Sequence, residues 1–297
     1  MSPAPSPLRP VRAVLADAAA RLRAGGVASP EADARTLLAH ACGIEPARIP
    51  LLDGVDDEAV AAFEVLVTSR AARVPLQHLT GRAYFRHVEL EVGPGVFVPR
   101  PETEVMTGWA IDALRPAIAT GGRPRVVELC AGSGAIAKAL ATELTFLDVY
   151  AVELSPEAAA YARRNLADTL VELYVGDMAD ALHVLDGQVD LVVANPPYIP
   201  LDAYASVAPE VRDHDPLPAL FSGEDGLDAI RVVTDVATRL LRPGGLLCFE
   251  HADVQGESAP AVVTASRAFT GIRDHVDLTG RPRFVTAVRR TAGRMAG

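Results

Sequence analysis

A polar amide, two prolines and an aromatic side chain follow one apolar run of the sequence. Residues 189–194 are apolar enough for a buried strand, and Asn195, Pro196, Pro197 and Tyr198 come directly after them. The Asn195 side-chain oxygen and the Pro196 carbonyl could accept the two N–H bonds of an NH₂ group, on a loop that the prolines restrict. Tyr198 could pack against a planar substrate group. These residues therefore suit group transfer to an amide or amine nitrogen, which they would orient while offsetting its developing charge.

A glycine-containing turn is the second feature that suggests chemistry. It reads CAGSG over 130–134 and lies between an apolar run and a helical pattern. Gly132 and Gly134 would let the backbone approach a ligand closely, and the following helix would aim its amides at that ligand. Gly132, Gly134 and Ala137 also satisfy the G-x-G-x-x-A form of the dinucleotide fingerprint. A nicotinamide-dependent dehydrogenase is therefore an open alternative.

Acidic residues follow the next two apolar runs. Glu153 ends the first of them, where a carboxylate could accept hydrogen bonds from both hydroxyls of a ribose. The alternative is a surface acid at the start of a helix. The second run ends at Gly176-Asp177-Met178, a position that in many methyltransferases places an acid near the adenine amino group and an apolar side chain against the ring. A simple Gly-Asp turn is the alternative for Asp177.

Composition narrows the functional class. The net charge of -10 argues against a broad nucleic-acid surface, which needs clustered Lys and Arg. No apolar run approaches the roughly 18 residues of a membrane span. The three cysteines are isolated and show no metal-binding spacing, so no metal site is predicted. The proline-rich N-terminus lacks the apolar core of a signal peptide, and we predict that residues 1–9 are a disordered lead-in to a cytoplasmic protein.

Two segments precede the glycine turn. Residues 10–79 show helical periodicity without strand alternation, and capping residues near Ser29 and Asp56 predict the starts of two of the helices. This segment is predicted to be a small all-helical domain. Residues 80–100 alternate between apolar and polar residues around a Gly-Pro-Gly sequence at 93–95, which predicts a β-hairpin linker that turns there.

Residues 101–297 predict an α/β domain in which strands and helices alternate. Such alternation predicts a parallel sheet covered by helices on both faces. Residues 273–290 break the pattern and read as two strands joined at 280–282, an antiparallel hairpin at the sheet edge. A Rossmann-like sheet finished in this way is typical of class I S-adenosylmethionine-dependent methyltransferases. Ligands of open parallel sheets lie beyond the carboxyl ends of the strands, so Asn195 would face the reactive end of the cofactor.

Several sequence stretches carry a family resemblance. The Asn-Pro-Pro-Tyr motif occurs in amino methyltransferases that act on adenine, cytosine or glutamine amides. Over nearly its whole length the chain further resembles the release-factor glutamine methyltransferases, the PrmC/HemK family. The stretches that carry this resemblance are, in order, PLQHLTG, VFVPRPETE, ELCAGSGAIA, NPPYIP and ALFSGEDGLDAIR.

The resemblance implies S-adenosylmethionine as the cofactor and the glutamine of the Gly-Gly-Gln tripeptide of peptide-chain release factors as the substrate. The product would be N5-methylglutamine, and the helical domain would help to dock the release factor. The predicted cofactor-binding residues are Cys130, Ala131, Gly132, Ser133, Gly134, Glu153, Asp177, Met178 and Asn195. The predicted catalytic residues are Asn195, Pro196, Pro197 and Tyr198, and substrate binding adds Arg100 and Glu102.

The chain departs from the family pattern at two of these positions. The family usually has glycine where Cys130 stands and commonly has aspartate where Glu153 stands. The roles of the signature acids Glu102 and Glu104 are open, because acids after Pro101 could simply start a helix. Glu250 ends the strand-like run GGLLCFE over 244–250, and its side chain could equally serve packing or contact solvent.

Three other functions remain as alternatives. A DNA or RNA amino methyltransferase would need a base-flipping pocket and a basic binding face, which the acidic net charge disfavours. A dehydrogenase would leave the residues from Asn195 to Tyr198 unexplained. A non-catalytic binding module would result if Cys130 blocked the cofactor, and measurable S-adenosylmethionine binding would count against it.

Overall fold

The computed structural model describes residues 8–291, which belong to two compact units. Within the described residues, the first unit comprises 8–82 together with 208–214, and the second comprises 83–207 together with 215–291. Most of the predicted disordered lead-in, residues 1–7, lies outside the described residues. Arg9 is described, and its backbone exchanges hydrogen bonds of 2.8 and 2.9 Å with Val55. No helix within residues 8–291 is long and apolar enough to cross a membrane.

The first unit is helical, in line with the periodicity of its sequence. Its helices are α1 (Val11–Ala24), α2 (Pro30–Ala41), α3 (Asp57–Ala71) and α4 (Leu76–Thr80), with a 3₁₀ turn at Pro46–Leu51. The Asp56 side chain accepts a hydrogen bond of 2.8 Å from the Ala59 amide and so caps α3. Leu22, Leu37, Leu38 and Phe63 are fully buried and form the centre of the core.

A buried ion cluster attaches residues 208–214 to this helical unit. Arg70, which is 7% exposed, donates to Asp33 at 2.8 Å and to Glu210 at 3.2 Å. Arg73 donates to both oxygens of the same Glu210, at 2.7 and 2.5 Å. Burial opposes ionisation of Glu210, but the hydrogen bond from Arg73 and the two positive charges leave the pKa of its carboxyl below the ordinary value.

Replacement of Glu210 by glutamine is expected to destabilise the helical unit by about 1–3 kcal/mol, because the buried guanidinium group of Arg70 and the half-buried one of Arg73 lose their shared negative charge. Urea unfolding measures this loss. Since the pKa of Glu210 is depressed in the folded state, its contribution is present above the ordinary glutamate pKa of about 4.3 and disappears as the pH falls through the folded value. The difference between the variant and the wild type should therefore shrink in acid.

Glu31→Gln is the matched control for that measurement. Glu31 pairs with Arg23 in the same unit, but the two side chains are 66% and 60% exposed. An exposed pair contributes at most about 1 kcal/mol. Equal losses in Glu31→Gln and Glu210→Gln would contradict the role given to the buried cluster.

The hairpin between the helices and the sheet is present, but its predicted turn at 93–95 is wrong. Strands β1 (Arg82–Phe85) and β2 (Val88–Glu91) turn at Arg86-His87, where Arg86 has a φ of 51°. Distant partners hold this conformation: the Arg86 amide donates to Glu104 at 3.0 Å and its guanidinium donates to Glu143 at 2.5 and 2.8 Å. Gly93 instead permits a close approach, because a Cβ there would collide with the Tyr161 hydroxyl.

The second unit contains most of the α/β domain predicted for residues 101–297, without residues 208–214, and the predicted fold class is confirmed. A seven-stranded sheet has the order β5-β4-β3-β6-β7-β9-β8. Its strands are β3 (Arg125–Leu129), β4 (Asp148–Glu153), β5 (Glu172–Val175), β6 (Val189–Ala194), β7 (Leu241–Glu250), β8 (Phe269–Val276) and β9 (Pro282–Arg289). Strands β3 to β7 pair in parallel, whereas β9 is antiparallel to both β7 and β8.

Helices cover both faces of this sheet. They are α5 (Pro101–Ala119), α6 (Ala135–Glu143), α7 (Pro156–Asn165), α9 (Asp228–Leu240) and α10 (Ser258–Ala265), while the short α8 (Pro209–Arg212) belongs to the helical unit. One apolar cluster joins the sheet to α5, α6, α7 and the hairpin, and a second joins it to α9 and α10. Strand β3 pairs with β4 on one side and with β6 on the other, so the chain reverses direction across the sheet at β3. This is the switch point at which ligands of such sheets bind.

Candidate functional site

The loop after β3 has the backbone form that a closely approaching ligand needs. Cys130, Gly132 and Gly134 have φ values of 57°, 56° and 79°. A Cβ at Gly132 would meet no atom within 4 Å, so open space adjoins the backbone there. Cys130 adopts the left-handed conformation without being a glycine, at a cost of about 1–2 kcal/mol. Ala131 ties the loop to the sheet by donating to the Val152 carbonyl at 3.0 Å.

Glu128 is a residue of this site that the sequence reasoning missed. It lies within β3 and is 1% exposed, and its carboxyl accepts a hydrogen bond of 2.9 Å from the Ala137 amide in the first turn of α6. Burial raises the pKa of Glu128 to about 8 against the opposing effect of that amide. Glu128 therefore holds the start of α6 against the end of β3. The sequence does contain a signal for Glu128, which is a carboxylate inside an apolar run shortly before a glycine turn.

Glu153 connects the end of β4 to the glycine loop. Its two carboxylate oxygens accept from the Gly132 amide and from the Ser155 amide, both at 2.7 Å. The residue is 8% exposed, and burial raises the pKa of Glu153 while these amide hydrogen bonds lower it. Each oxygen retains a second lone pair, so the carboxylate is oriented for two further donors.

The end of β5 places Asp177 and Met178 differently. Asp177 is exposed, and its side chain accepts from the Ala179 amide at 2.9 Å, which caps a 3₁₀ turn. This is the Gly-Asp turn that the sequence left as an alternative, and a contact of Asp177 with the cofactor stays a prediction. Met178 lies beside the glycine loop, with its sulfur 3.7 Å from the Cys130 sulfur. Burial and then the charge of Glu153 raise the pKa of Cys130, so its thiol is a neutral, apolar wall.

A chain of hydrogen bonds holds the Asn-Pro-Pro-Tyr segment after β6. The Asn195 side-chain nitrogen donates to the Thr103 hydroxyl at 3.1 Å, and that hydroxyl donates to one oxygen of Glu250 at 2.6 Å. The Tyr198 hydroxyl donates to the other oxygen of Glu250 at 3.0 Å. Burial, followed by the charge of Glu250, raises the pKa of Tyr198 well above its ordinary value, so the phenol stays protonated. Pro196 is buried, and Pro197 is half-buried.

The segment 219–231, whose role the sequence left unassigned, supports the Asn-Pro-Pro-Tyr backbone. The Ile199 amide donates to Leu220 at 2.9 Å, and the Ser222 amide donates back to Ile199 at 3.0 Å. The Gln255 side chain donates to the Tyr198 carbonyl at 3.0 Å. Gly226 has a φ of 73°, and a Cβ there would collide with the same carbonyl. The loop is therefore fixed by its neighbours as well as by its prolines.

The signature around Arg100 divides into separate roles. Pro101 begins α5, as a helix-start pattern predicts. The Arg100 guanidinium lies 4.8 Å above the Phe97 ring and donates to Asp215 at 2.7 Å. Burial raises the pKa of Asp215 to about 6 despite this positive charge. Glu102 is exposed, so contacts of Arg100 and Glu102 with a substrate stay predictions. Thr103, which the sequence reasoning passed over, is the residue of this signature that contacts Asn195.

The segments that follow β3, β4 and β6 thus lie side by side at the carboxyl ends of the parallel strands. Leu129 pairs with Ala194 and with Val152, so the loop after β3 lies between the segments that follow β6 and β4. Asn195, Cys130 and Glu153 therefore belong to neighbouring segments, and their contacts with a cofactor stay predictions.

Comparison with known proteins agrees with the two-part organisation of the chain. Residues 13–81 match the family model of the PrmC N-terminal domain. Residues 126–214 match a model described as a methyltransferase domain.

Curated relatives are similar to the chain over most of its length. A release factor glutamine methyltransferase of Streptomyces coelicolor is 53% identical, covering 93% of this chain and 96% of the relative. One from Mycolicibacterium smegmatis is 49% identical, covering 94% and 98%. A 4-amino-L-phenylalanine/4-methylamino-L-phenylalanine methyltransferase of Streptomyces pristinaespiralis is 42% identical, covering 85% and 86%. By this near-full-length identity, the chain belongs to the release factor glutamine methyltransferase family.

Proposed function

We propose that this chain transfers a methyl group from S-adenosylmethionine to the side-chain nitrogen (N5) of the glutamine in the Gly-Gly-Gln tripeptide of peptide-chain release factors. The observation that carries the proposal is the orientation of Asn195. Its amide nitrogen is engaged by Thr103, which leaves its amide oxygen as an acceptor for another NH₂ group. Membership of the family supports the choice of substrate.

The residues beyond β3 and β4 fit an adenosine-type cofactor. Open space adjoins the Gly132 backbone, and Glu153 presents an oriented, largely buried carboxylate beside it. We propose that the loop 130–134, Glu153, Met178 and Asn195 hold S-adenosylmethionine. When bound there, this cofactor supplies an electrophilic methyl group on a positively charged sulfur.

The Asn-Pro-Pro-Tyr segment would bind and orient the substrate amide. The nitrogen of an amide is a poor nucleophile because its lone pair is delocalised into the carbonyl. The side-chain oxygen of Asn195 and the carbonyl of Pro196 would accept its two N–H bonds, which aims the nitrogen and offsets the positive charge that develops on it. The Tyr198 ring would pack against the planar amide. The proton can leave to water after transfer, so no general base is required.

The helical unit is the proposed docking element for the release factor. Its residues 13–81 match the PrmC N-terminal domain model and precede all of the proposed site residues in sequence. With such a substrate, the enzyme would act in the cytoplasm, where translation terminates.

The proposal is tested by methyl transfer from labelled S-adenosylmethionine, with the product mapped by mass spectrometry. A purified release factor, its variant with alanine in place of the tripeptide glutamine, duplex DNA and 4-amino-L-phenylalanine are offered in parallel. We expect one methyl group on the tripeptide glutamine and none on the variant or on DNA. Label on DNA alone would favour the nucleic-acid alternative instead.

An aromatic amine is the second candidate substrate. The relative from Streptomyces pristinaespiralis is named for 4-amino-L-phenylalanine, whose ring carries an NH₂ group that the same two acceptors could hold. Label on this amino acid, with none on the release factor, would replace the proposed substrate while leaving the proposed chemistry intact.

A further inference from the structure

We propose that Thr103 and Glu250 are positioning residues that determine which atom of the Asn195 amide faces the substrate. The proposal rests on the proposed function and adds residues from two further elements to it. Thr103 lies in the first turn of α5, Glu250 is the last residue of β7, and Asn195 follows β6. Hydrogen bonds of 2.6 and 3.1 Å connect them in series.

The direction of each hydrogen bond in this series follows from the chemistry of Glu250. An ionised carboxylate only accepts, and both of its oxygens are engaged by hydroxyl groups, those of Thr103 and Tyr198. When Glu250 is ionised, the single proton of the Thr103 hydroxyl is therefore committed to it. Its oxygen can then only accept, and it takes an N–H bond from Asn195. This places the Asn195 nitrogen on Thr103 and directs its oxygen elsewhere.

The orientation of the Asn195 amide matters because its two ends have opposite chemistry. An oxygen facing the substrate accepts an N–H bond from the target NH₂ group. A flipped amide would present its own N–H bonds to that group, and two donors repel each other. The shape of an amide hardly distinguishes the two orientations, so hydrogen-bond partners must choose between them.

We call the hydrogen-bond series from Asn195 through Thr103 to Glu250 the relay. Burial protects the relay from water. Thr103 is 4% exposed and Glu250 is 1% exposed, so water does not compete for their hydrogen bonds. Burial raises the pKa of Glu250, and the negative charge of Glu102 adds to this, while the two hydroxyl groups and the positive charge of Arg283 favour the carboxylate. Arg283 is itself held at 3.2 Å from Asp277. On balance the pKa of Glu250 stays above its ordinary value, so the relay has the stated direction at a pH above that raised pKa.

Thr103→Val is the direct test, because it keeps the side-chain shape and removes only the hydroxyl. We expect kcat to fall about 10- to 100-fold while the KM for the release factor and the Kd for S-adenosylmethionine stay within about threefold. Thr103→Ser restores the hydroxyl and should recover most of kcat. Wild-type kcat in Thr103→Val would overturn the proposal, as would failure of Thr103→Ser to recover activity when Thr103→Val is impaired.

Thr107→Val is the matched control. Thr107 lies one turn further along α5 and is fully buried, and its hydroxyl donates to the Thr103 carbonyl within the helix. It has no hydrogen bond to Asn195 among residues 8–291. The kcat of Thr107→Val should match that of the wild type. A loss equal to that of Thr103→Val would show that buried hydroxyl groups of α5 act through packing, and the proposal would fail.

Glu250→Gln tests the direction of the relay. Glutamine offers one acceptor and one donor, so it can satisfy only one of the two hydroxyl groups as the carboxylate does. If the glutamine nitrogen donates to the Thr103 oxygen, the Thr103 proton turns toward Asn195. This favours the flipped Asn195 amide. The double variant Thr103→Val/Glu250→Gln should lose no more kcat than the poorer single variant, because both act through one amide. Multiplicative losses would contradict a shared route.

This test separates the proposal from the proposed function. If wild-type enzyme labels the release factor but Thr103→Val is unimpaired, only the relay is wrong. If the wild type labels 4-amino-L-phenylalanine instead, the variants are assayed on that amine, and the relay predicts the same pattern because the acceptor geometry is unchanged.

Discussion

Asn195→Ala is expected to lower the rate of methyl transfer by about a hundred- to a thousandfold while the protein remains folded. The substitution removes the acceptor proposed to bind the target nitrogen, and loss of one such group commonly costs about a hundred- to a thousandfold in kcat. It also leaves Thr103 without its donor. Single-turnover transfer of labelled methyl groups to the release factor measures the loss without interference from product release.

Folding should be affected far less than catalysis. Asn195 is half-buried and follows the strand instead of filling the core, so alanine removes one hydrogen bond worth about 1 kcal/mol. Thermal melting and cofactor titration of the variant provide the control, because a misfolded protein would change both. Turnover within about tenfold of the wild type would contradict the proposed role of the Asn195 oxygen.

The sheet was predictable because central parallel strands are buried on both faces and read as apolar runs. Strands β3, β4 and β6 consist mostly of buried residues, and they coincide with the apolar runs that precede Cys130, end at Glu153 and span 189–194. The edge strand β8 begins at Phe269, four positions before the predicted start at 273. Its following residues are mostly exposed, so no apolar run marks its beginning.

The turn of the hairpin was not predictable from local sequence. Glycine and proline at 93–95 suggested a turn, but Gly93 permits the approach of Tyr161 from α7. The real turn contains Arg86, whose positive φ is held by Glu104 and Glu143 from two later helices. Such tertiary stabilisation overrides local propensity and leaves no signal within the hairpin itself.

The site was predictable only in part, and for a related reason. Residues that follow parallel strands gather at one edge of the sheet, so Asn195, Glu153 and the glycine loop could be placed from the order of the strands. The partner of Asn195 comes from a helix 92 residues earlier in the chain, and Thr103 is 147 residues from Glu250. No sequence periodicity connects positions so far apart. The available clue was Thr103, a hydroxyl residue between the signature acids Glu102 and Glu104.

The second large effect is expected for the cofactor. Glu153→Ala should weaken S-adenosylmethionine binding by about a hundredfold, because two ribose hydroxyl groups would lose a charged acceptor worth about 3 kcal/mol in total. The loop would also lose its tie at Gly132. Isothermal titration of the cofactor measures the change independently of methyl transfer.

Three further variants show whether the effect of Glu153→Ala comes from the carboxylate. Glu153→Gln should bind S-adenosylmethionine nearly as weakly as the alanine variant does. The NH₂ group of the glutamine would face the amide donor of either Gly132 or Ser155. Glu153→Asp keeps two acceptors and should stay within about tenfold of the wild type. Glu157→Gln, at an exposed acid in the first turn of α7, should leave cofactor affinity unchanged. Tight binding by Glu153→Ala would mean that the ribose is held elsewhere, and Glu153 would then serve only to fasten the glycine loop to β4.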